Sequence, residues 1–198
     1  GKVSCRSGTT MSERTVVGLQ PWLPWPLCRL PWWTAPVPAE RLAALRIGLA
    51  AVLLVDILGC YLPYLGVFLG PGSLGEAGIF ADRGWTGRLR WSVFHWADSA
   101  AWTHAWFALW TLSACGLLLG WFSRVSAVVA WALSLSVFHI NPFLVNSGDN
   151  ARNTLLFYLM LCPCGATWSL DAWRRRRRGL VAGRIFVHPW PLRLLFVQ

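Results

Sequence analysis

Lysine is all but missing from this chain. Lys2 stands alone against seventeen arginines, so no side-chain amine is available inside the apolar part of the protein to act as a base. Acidic residues number only eight, and charged residues of both signs make up 13% of the sequence. A disulfide framework is also missing: the six cysteines, Cys5, Cys28, Cys60, Cys115, Cys162 and Cys164, show no paired CxxC spacing. Cys162-Pro163-Cys164 reads as small, soft residues at a helix end, kept reduced, rather than as a thiol or metal site. The histidines show no H-x-x-x-H spacing, which predicts that no metal is bound. No apolar core of signal-peptide length follows Met11 closely enough to be a leader, and residues 1–10 lie upstream of that plausible natural start.

What is present is apolar and aromatic surface. Hydrophobic residues reach 56% with fifteen tryptophans, and these are the values of a membrane protein. A net charge of +10 would suggest nucleic acid in a polar chain. Here seven of the arginines fall between Arg174 and Arg193, beside apolar runs, so they read as topology signals and no nucleic-acid partner is expected. The excess of arginine, with abundant Ala, Gly, Trp and Pro, points to a GC-rich, bacterial coding sequence.

The expected fold class is all-α: a polytopic transmembrane bundle with four complete membrane helices and the start of a fifth. Residues 1–38 form a Pro/Trp-rich N-terminal segment at the cytoplasmic membrane surface, and residues 39–198 the membrane domain. Proline blocks helix there, while tryptophan favours the headgroup region. The first helix is expected at Leu42 to Tyr61. It carries Arg46, placed to snorkel to the cytoplasmic side, and Asp56, placed to face other helices. A long Gly/Pro-rich connection follows, with a short interfacial helix over Trp85 to Trp96. The second helix, Ala100 to Phe122, contains no Asp, Glu, Lys or Arg and carries a GxxxG at Gly116 and Gly120. The third, Val125 to Val145, bears a small-residue stripe of Ser126, Ala130 and Ser134 and is ended or kinked at Pro142. The fourth is expected at Thr154 to Leu170. The apolar run from Leu192 stops after seven residues and reads as a fifth helix cut short.

Orientation follows from the arginines. With the N-terminus inside, fourteen basic residues lie in cytoplasmic segments and four outside (Arg83, Arg88, Arg90 and Arg152). The expected location is a bacterial cytoplasmic membrane, multi-pass, with a cytoplasmic N-terminus and the lipid bilayer as partner.

One stretch concentrates polar groups. Asn141, Asn146, Asp149, Asn150, Arg152 and Asn153 crowd the entrance of the fourth helix. In this topology Asp56, His104 and His139 reach the same outer side. Asp149 and Arg152, three apart, can pair on one helix face, and Asp56 lies at similar depth. One reading is a polar pocket open to the exterior, because charged groups in a membrane commonly mark a site. Its candidate binding residues are Asp56, Asn146, Asp149, Arg152 and His139. The other reading is structural: Asn146 or Asp149 caps the helix and an Asp56–Arg152 pair ties helices together. For His104 and His139 individually, packing or interfacial hydrogen bonding is the simpler role.

The entrance P-V-P-A-E-R-L-A-A-L-R-I-G-L, Asp56 late in the first helix, N-S-G-D-N-A-R-N before the fourth and W-S-L-D-A-W after it occur in one order. That ordered set resembles the HTTM domain, the membrane domain shared by bacterial proteins and the vitamin K-dependent γ-carboxylase. It spans Pro36 to Gln198. In the animal enzyme, the resemblance implies, reduced vitamin K is oxygenated to a strong base that removes a glutamate γ-proton before CO₂ adds. The family's histidine before the fourth-helix segment falls at Gly148 or Asp149 here, and its lysine base falls beyond Gln198. The resemblance therefore implies a catalytically incomplete chain whose polar pocket binds a quinone or lipid. Vitamin K hydroquinone is the implied cofactor and Asp149 the one catalytic candidate. Quinol-linked carboxylase or epoxidase-like chemistry in a longer form is the alternative, since a base must reach its proton. A transporter or channel is a further one, weakened by the lack of an inverted repeat.

Overall fold

The structure is a computed structural model that describes residues 15–17, 35–69, 72–73, 92–96, 99–140, 147–179, 185–188 and 190–193. It is mostly helical. Helix α1 (Ala39–Asp56) starts directly after Pro38, whose fixed φ suits a helix entrance. It continues as a π turn (Ile57–Tyr61), in which the Leu62 N–H reaches the Ile57 carbonyl, then a 3₁₀ turn (Leu62–Tyr64) and the short α2 (Leu65–Phe68). A 3₁₀ turn at Val93–Trp96 precedes α3 (Ala100–Leu119), α4 (Ser123–Ile140) and α5 (Ser147–Leu161). Helix α6 (Leu170–Arg177) and the short α7 (Trp190–Arg193) follow.

Helix α3 packs on α1 and α4, and α4 on α5, with α5 also touching α1. The core between them is apolar: Leu53, Ile57, Trp110, Ala114, Leu117, Ala127, Ala130, Leu156 and Leu159 are shut off from solvent. Small residues set the closeness. A Cβ on Gly116 would stand 2.6 Å from Ser126 Oγ, so the GxxxG face of α3 lets α4 approach. Further along the same contact Trp110 Nε1 donates to Ser134 Oγ at 3.0 Å, so the one polar atom of a fully buried indole is satisfied.

The outer faces are apolar as well. Val52, Val55, Leu58, Leu62, Leu112 and Val125 are exposed, a larger apolar surface than scattered single residues would give. Two helical stretches are long and apolar enough to cross a membrane, Ala39–Phe68 and Ser123–Ile140. The four complete spans expected from the sequence are thus not all present by this measure. Helix α5 has 15 residues, which at ~1.5 Å each is well short of a ~30 Å hydrocarbon core. It runs Ser147–Leu161, starting earlier and ending earlier than the Thr154–Leu170 expected. Pro163 supplies the reason, since it has no N–H to donate and disfavours helix at Cys162. Helix α3 stops at Leu119 because Gly120 turns left-handed, with φ 70°.

The sequence reading also contained no strands. Three short ones form a sheet in the order β1 (Thr15–Val17), β3 (Ile185–Val187), β2 (Val37–Pro38). β1 runs parallel to β3 with Val16 opposite Phe186, and β2 antiparallel with Val37 opposite Val187. The N-terminal segment therefore joins a layer with the C-terminal one, and Ala39, Leu42, Cys162, Ala166, Ile185 and Val187 form a second apolar cluster beneath it. Asn141, Pro142, Asn146, Trp85 and all of residues 18–34 and 194–198 lie outside the described residues. Of the run expected from Leu192, only Leu192 and Arg193 are described, as the last turn of α7.

Candidate functional site

The bundle has two polar ends. At one, Asp56 closes α1 and Asp149 and Arg152 occupy the first turns of α5. Three-residue spacing puts Asp149 and Arg152 on one face, and Arg152 Nη2 donates to Asp149 Oδ1 at 2.6 Å. Arg152 Nη1 donates to Asp56 Oδ2 across the interface between α5 and α1. Two carboxylates thus share one guanidinium. Arg152 is 6% exposed, while the Asp56 side chain keeps 33% of its surface open. Burial of a charge is tolerated when paired and hydrogen-bonded, and Arg152 meets that condition through both terminal nitrogens.

Two further residues belong to this cluster. The Tyr61 phenol lies against the Arg152 guanidinium and is close to both carboxylates. Its ring packs edge-on against Trp110, with centroids 5.4 Å apart. Asn153, next to Arg152 and one turn from Asp149, is 6% exposed, yet among the described residues neither its Nδ2 nor its Oδ1 has a hydrogen-bond partner. Arg152 Nε is likewise buried and unpartnered. Leaving a buried amide unsatisfied costs about 1–3 kcal/mol, so these atoms call for an explanation. Asn153 was visible in the polar crowd of the sequence but not singled out; Tyr61 carried no signal there.

The remaining candidates separate from this group. His104 is exposed and its Nδ1 lies 2.6 Å from the Ala100 carbonyl of its own helix. His139 is half-buried at the end of α4, with its ring against Phe138. Asn146 lies outside the described residues.

The opposite end is built by Arg46. The expected snorkelling to the surface does not occur: Arg46 is fully buried. It donates from Nη1 to the Cys164 carbonyl at 3.1 Å and from Nη2 to the Trp168 carbonyl at 2.5 Å. Those carbonyls are freed when α5 breaks at Pro163, and a guanidinium fork is suited to collect them. The W-S-L-D motif supplies the other half. Ser169 caps α6 by accepting from Ala172 N at 2.9 Å. Asp171 accepts from Phe122 N at 3.1 Å, Ser123 N at 2.9 Å and Ser123 Oγ at 3.0 Å, which caps α4 from outside its own chain segment. This end is a structural knot, in which Arg46 Nε and Thr167 Oγ1 are buried without a hydrogen-bond partner among the described residues.

No family model matches this chain, and neither a curated protein nor a solved structure matches it. The geometry carries the functional argument by itself.

Proposed function

We propose that this chain is a multi-pass membrane protein of the HTTM and vitamin K-dependent carboxylase-like kind, whose outward-facing polar cluster binds the headgroup of a quinone or lipid. The observation that carries this reading is the buried, unpartnered Asn153 amide beside the Asp56–Arg152–Asp149 group. The hydroxyls of a quinol or of a lipid headgroup both donate and accept and would satisfy Oδ1 and Nδ2 together, whereas an oxidised quinone, an acceptor only, would satisfy Nδ2 alone. The fourteen-to-four asymmetry of basic residues supports placing Asp56, Asp149 and Arg152 at the exterior face of a bacterial cytoplasmic membrane, with Arg46 and α6 on the cytoplasmic side. The order of motifs from Pro36 to Trp173 supports the family.

Binding without catalysis is favoured by the state of Asp149. Its Oδ1 already accepts from Arg152, and no lysine lies near it in sequence. A proton acceptor must be within reach of its substrate, and this carboxylate is held by a cation instead.

The test uses the detergent-purified chain, titrated with menaquinone-4 and menaquinol-4 and followed by tryptophan fluorescence. Saturable quenching that weakens at least tenfold in Asn153→Leu, with unfolding temperature unchanged or higher, is the expected result. Quenching equal in wild type and Asn153→Leu would sink the assignment. Turnover of menaquinol to an epoxide that is lost in Asp149→Ala would replace it with the enzymatic reading.

A further inference from the structure

The face of α6 carries a second chemistry. The helix ends in four arginines, Arg174 to Arg177, with a fifth, Arg178, at its C-cap, and the structure gives them unequal roles. Arg175 turns inward and donates to the Gly165 carbonyl. Arg177 lies over the Trp173 ring, 4.0 Å from its centroid. Arg174, Arg176 and Arg178 are exposed and make no ion pair among the described residues. Three guanidinium groups close together at the end of one short helix repel one another, and the carboxylate of that helix, Asp171, is taken up by Phe122 N, Ser123 N and Ser123 Oγ.

Aromatic side chains surround this patch. Trp173 is 50% exposed on α6 itself, Trp168 61% just before it, and Trp121 and Phe122 are 48% and 60% exposed on the turn between α3 and α4. Asp171 ties that turn to α6 through Phe122 N and Ser123 N, so the aromatics and the arginines are held on one end of the bundle. Phe122 and Trp168 have φ of 45° and 47°, a backbone region that bulky L residues rarely adopt. The fold therefore holds both rings out from the core at some conformational expense. Exposed tryptophans beside unpaired arginines, at the end of apolar helices, match a headgroup layer: rings at the acyl boundary and guanidinium forks at the phosphates.

We infer that α6 is a docking surface for anionic phospholipid, with Arg174, Arg176 and Arg178 taking the phosphate groups and Trp168, Trp173 and Phe122 seating at the acyl–headgroup boundary. The charge selects the occupant: cationic forks without acidic partners complement an anionic lipid and gain little from a zwitterionic one. This inference rests on the membrane reading of α1 and α4, and not on the Asn153 site.

The test uses the full chain in detergent, titrated with phosphatidylglycerol or phosphatidylcholine, with bound lipid read by native mass spectrometry. At about fivefold per arginine near an anionic lipid surface, the Arg174→Gln/Arg176→Gln/Arg178→Gln variant is expected to bind phosphatidylglycerol roughly a hundredfold more weakly. Phosphatidylcholine binding should not change. These side chains have no structural partners, so the variant should keep its unfolding temperature. A Trp173→Ala variant should weaken both lipids several-fold. The inference is overturned if the triple variant retains phosphatidylglycerol, or if the wild type does not prefer it over phosphatidylcholine. Full competition by soluble glycerol 1-phosphate, or displacement of the lipid by a transfer-RNA mixture, would also overturn it. Behaviour as an aqueous protein without detergent would instead defeat the membrane reading on which it stands, a result distinguishable from each of these.

Discussion

Arg46 and Trp168 are 122 positions apart, and the guanidinium of the first donates to the carbonyl of the second at 2.5 Å. That one side chain connects the start of α1 to the break after α5, and it does so at a residue with left-handed backbone. Replacing Arg46 with Met leaves the Cys164 and Trp168 carbonyls buried without donors and should destabilise the chain by about 2–5 kcal/mol. Arg46→Lys should recover only part of this, because an ammonium cannot present two parallel donors. Thermal unfolding in detergent compares the three proteins; equal stability of Arg46→Met and wild type would refute the role.

Asp171 joins α6 to the start of α4 through two backbone amides and a hydroxyl. Asp171→Ala should cost about 1–2 kcal/mol, in the range of a lost helix cap with an additional side-chain bond. Ser169→Ala removes only the α6 cap and should cost about 1 kcal/mol. Hydrogen exchange should locate the first loss at Phe122 and Ser123 and the second at Ala172.

Two glycines should respond in opposite directions to alanine. Gly120 has φ 70°, and a Cβ there would meet Arg46 Nη1 at 2.6 Å and Ser169 Cα at 2.8 Å. Gly120→Ala should therefore destabilise by about 2 kcal/mol or more. Gly48 lies inside α1 with nothing within 4 Å of its would-be Cβ, so Gly48→Ala should be neutral or stabilising by up to about 1 kcal/mol. Unfolding temperatures of the two variants measured side by side decide this.

Asp56 and Arg152 should behave as a coupled pair. Asp56→Asn, Arg152→Leu and the double variant form a cycle whose interaction term should be about 0.5–3 kcal/mol, because the second change removes a partner already lost. Additive effects would mean that Arg152 is held by Asp149 alone.

Spacing made part of this site legible. The i, i+3 spacing of Asp149 and Arg152 places them on one helical face, and helix lengths put Asp56 at the same depth, so that grouping follows from periodicity. The GxxxG at Gly116 predicted a close approach, and Ser126 sits against it. Other features have no periodic signature. Arg46 could be assigned a depth but not a partner, because its carbonyl acceptors appear only once Pro163 has broken the following helix. The strands β1, β2 and β3 are two or three residues long, too short for alternation to register. Left-handed backbone at Phe122 and Trp168 runs against residue preference and had to come from tertiary ties.

The π turn at Ile57–Tyr61 has a consequence for how this helix must be counted. On an unbroken α-helix, a residue five positions after Asp56 sits about 140° round the axis from it, on nearly the opposite side. The wider turn resets the angular phase and returns Tyr61 to the Arg152 side. The stretch thus behaves as a one-residue insertion into an otherwise regular helix. Deleting one residue between Ile57 and Cys60 would restore regular winding and leave the tyrosine four positions after Asp56, about 40° round the axis, so the phenol should stay on the Arg152 side.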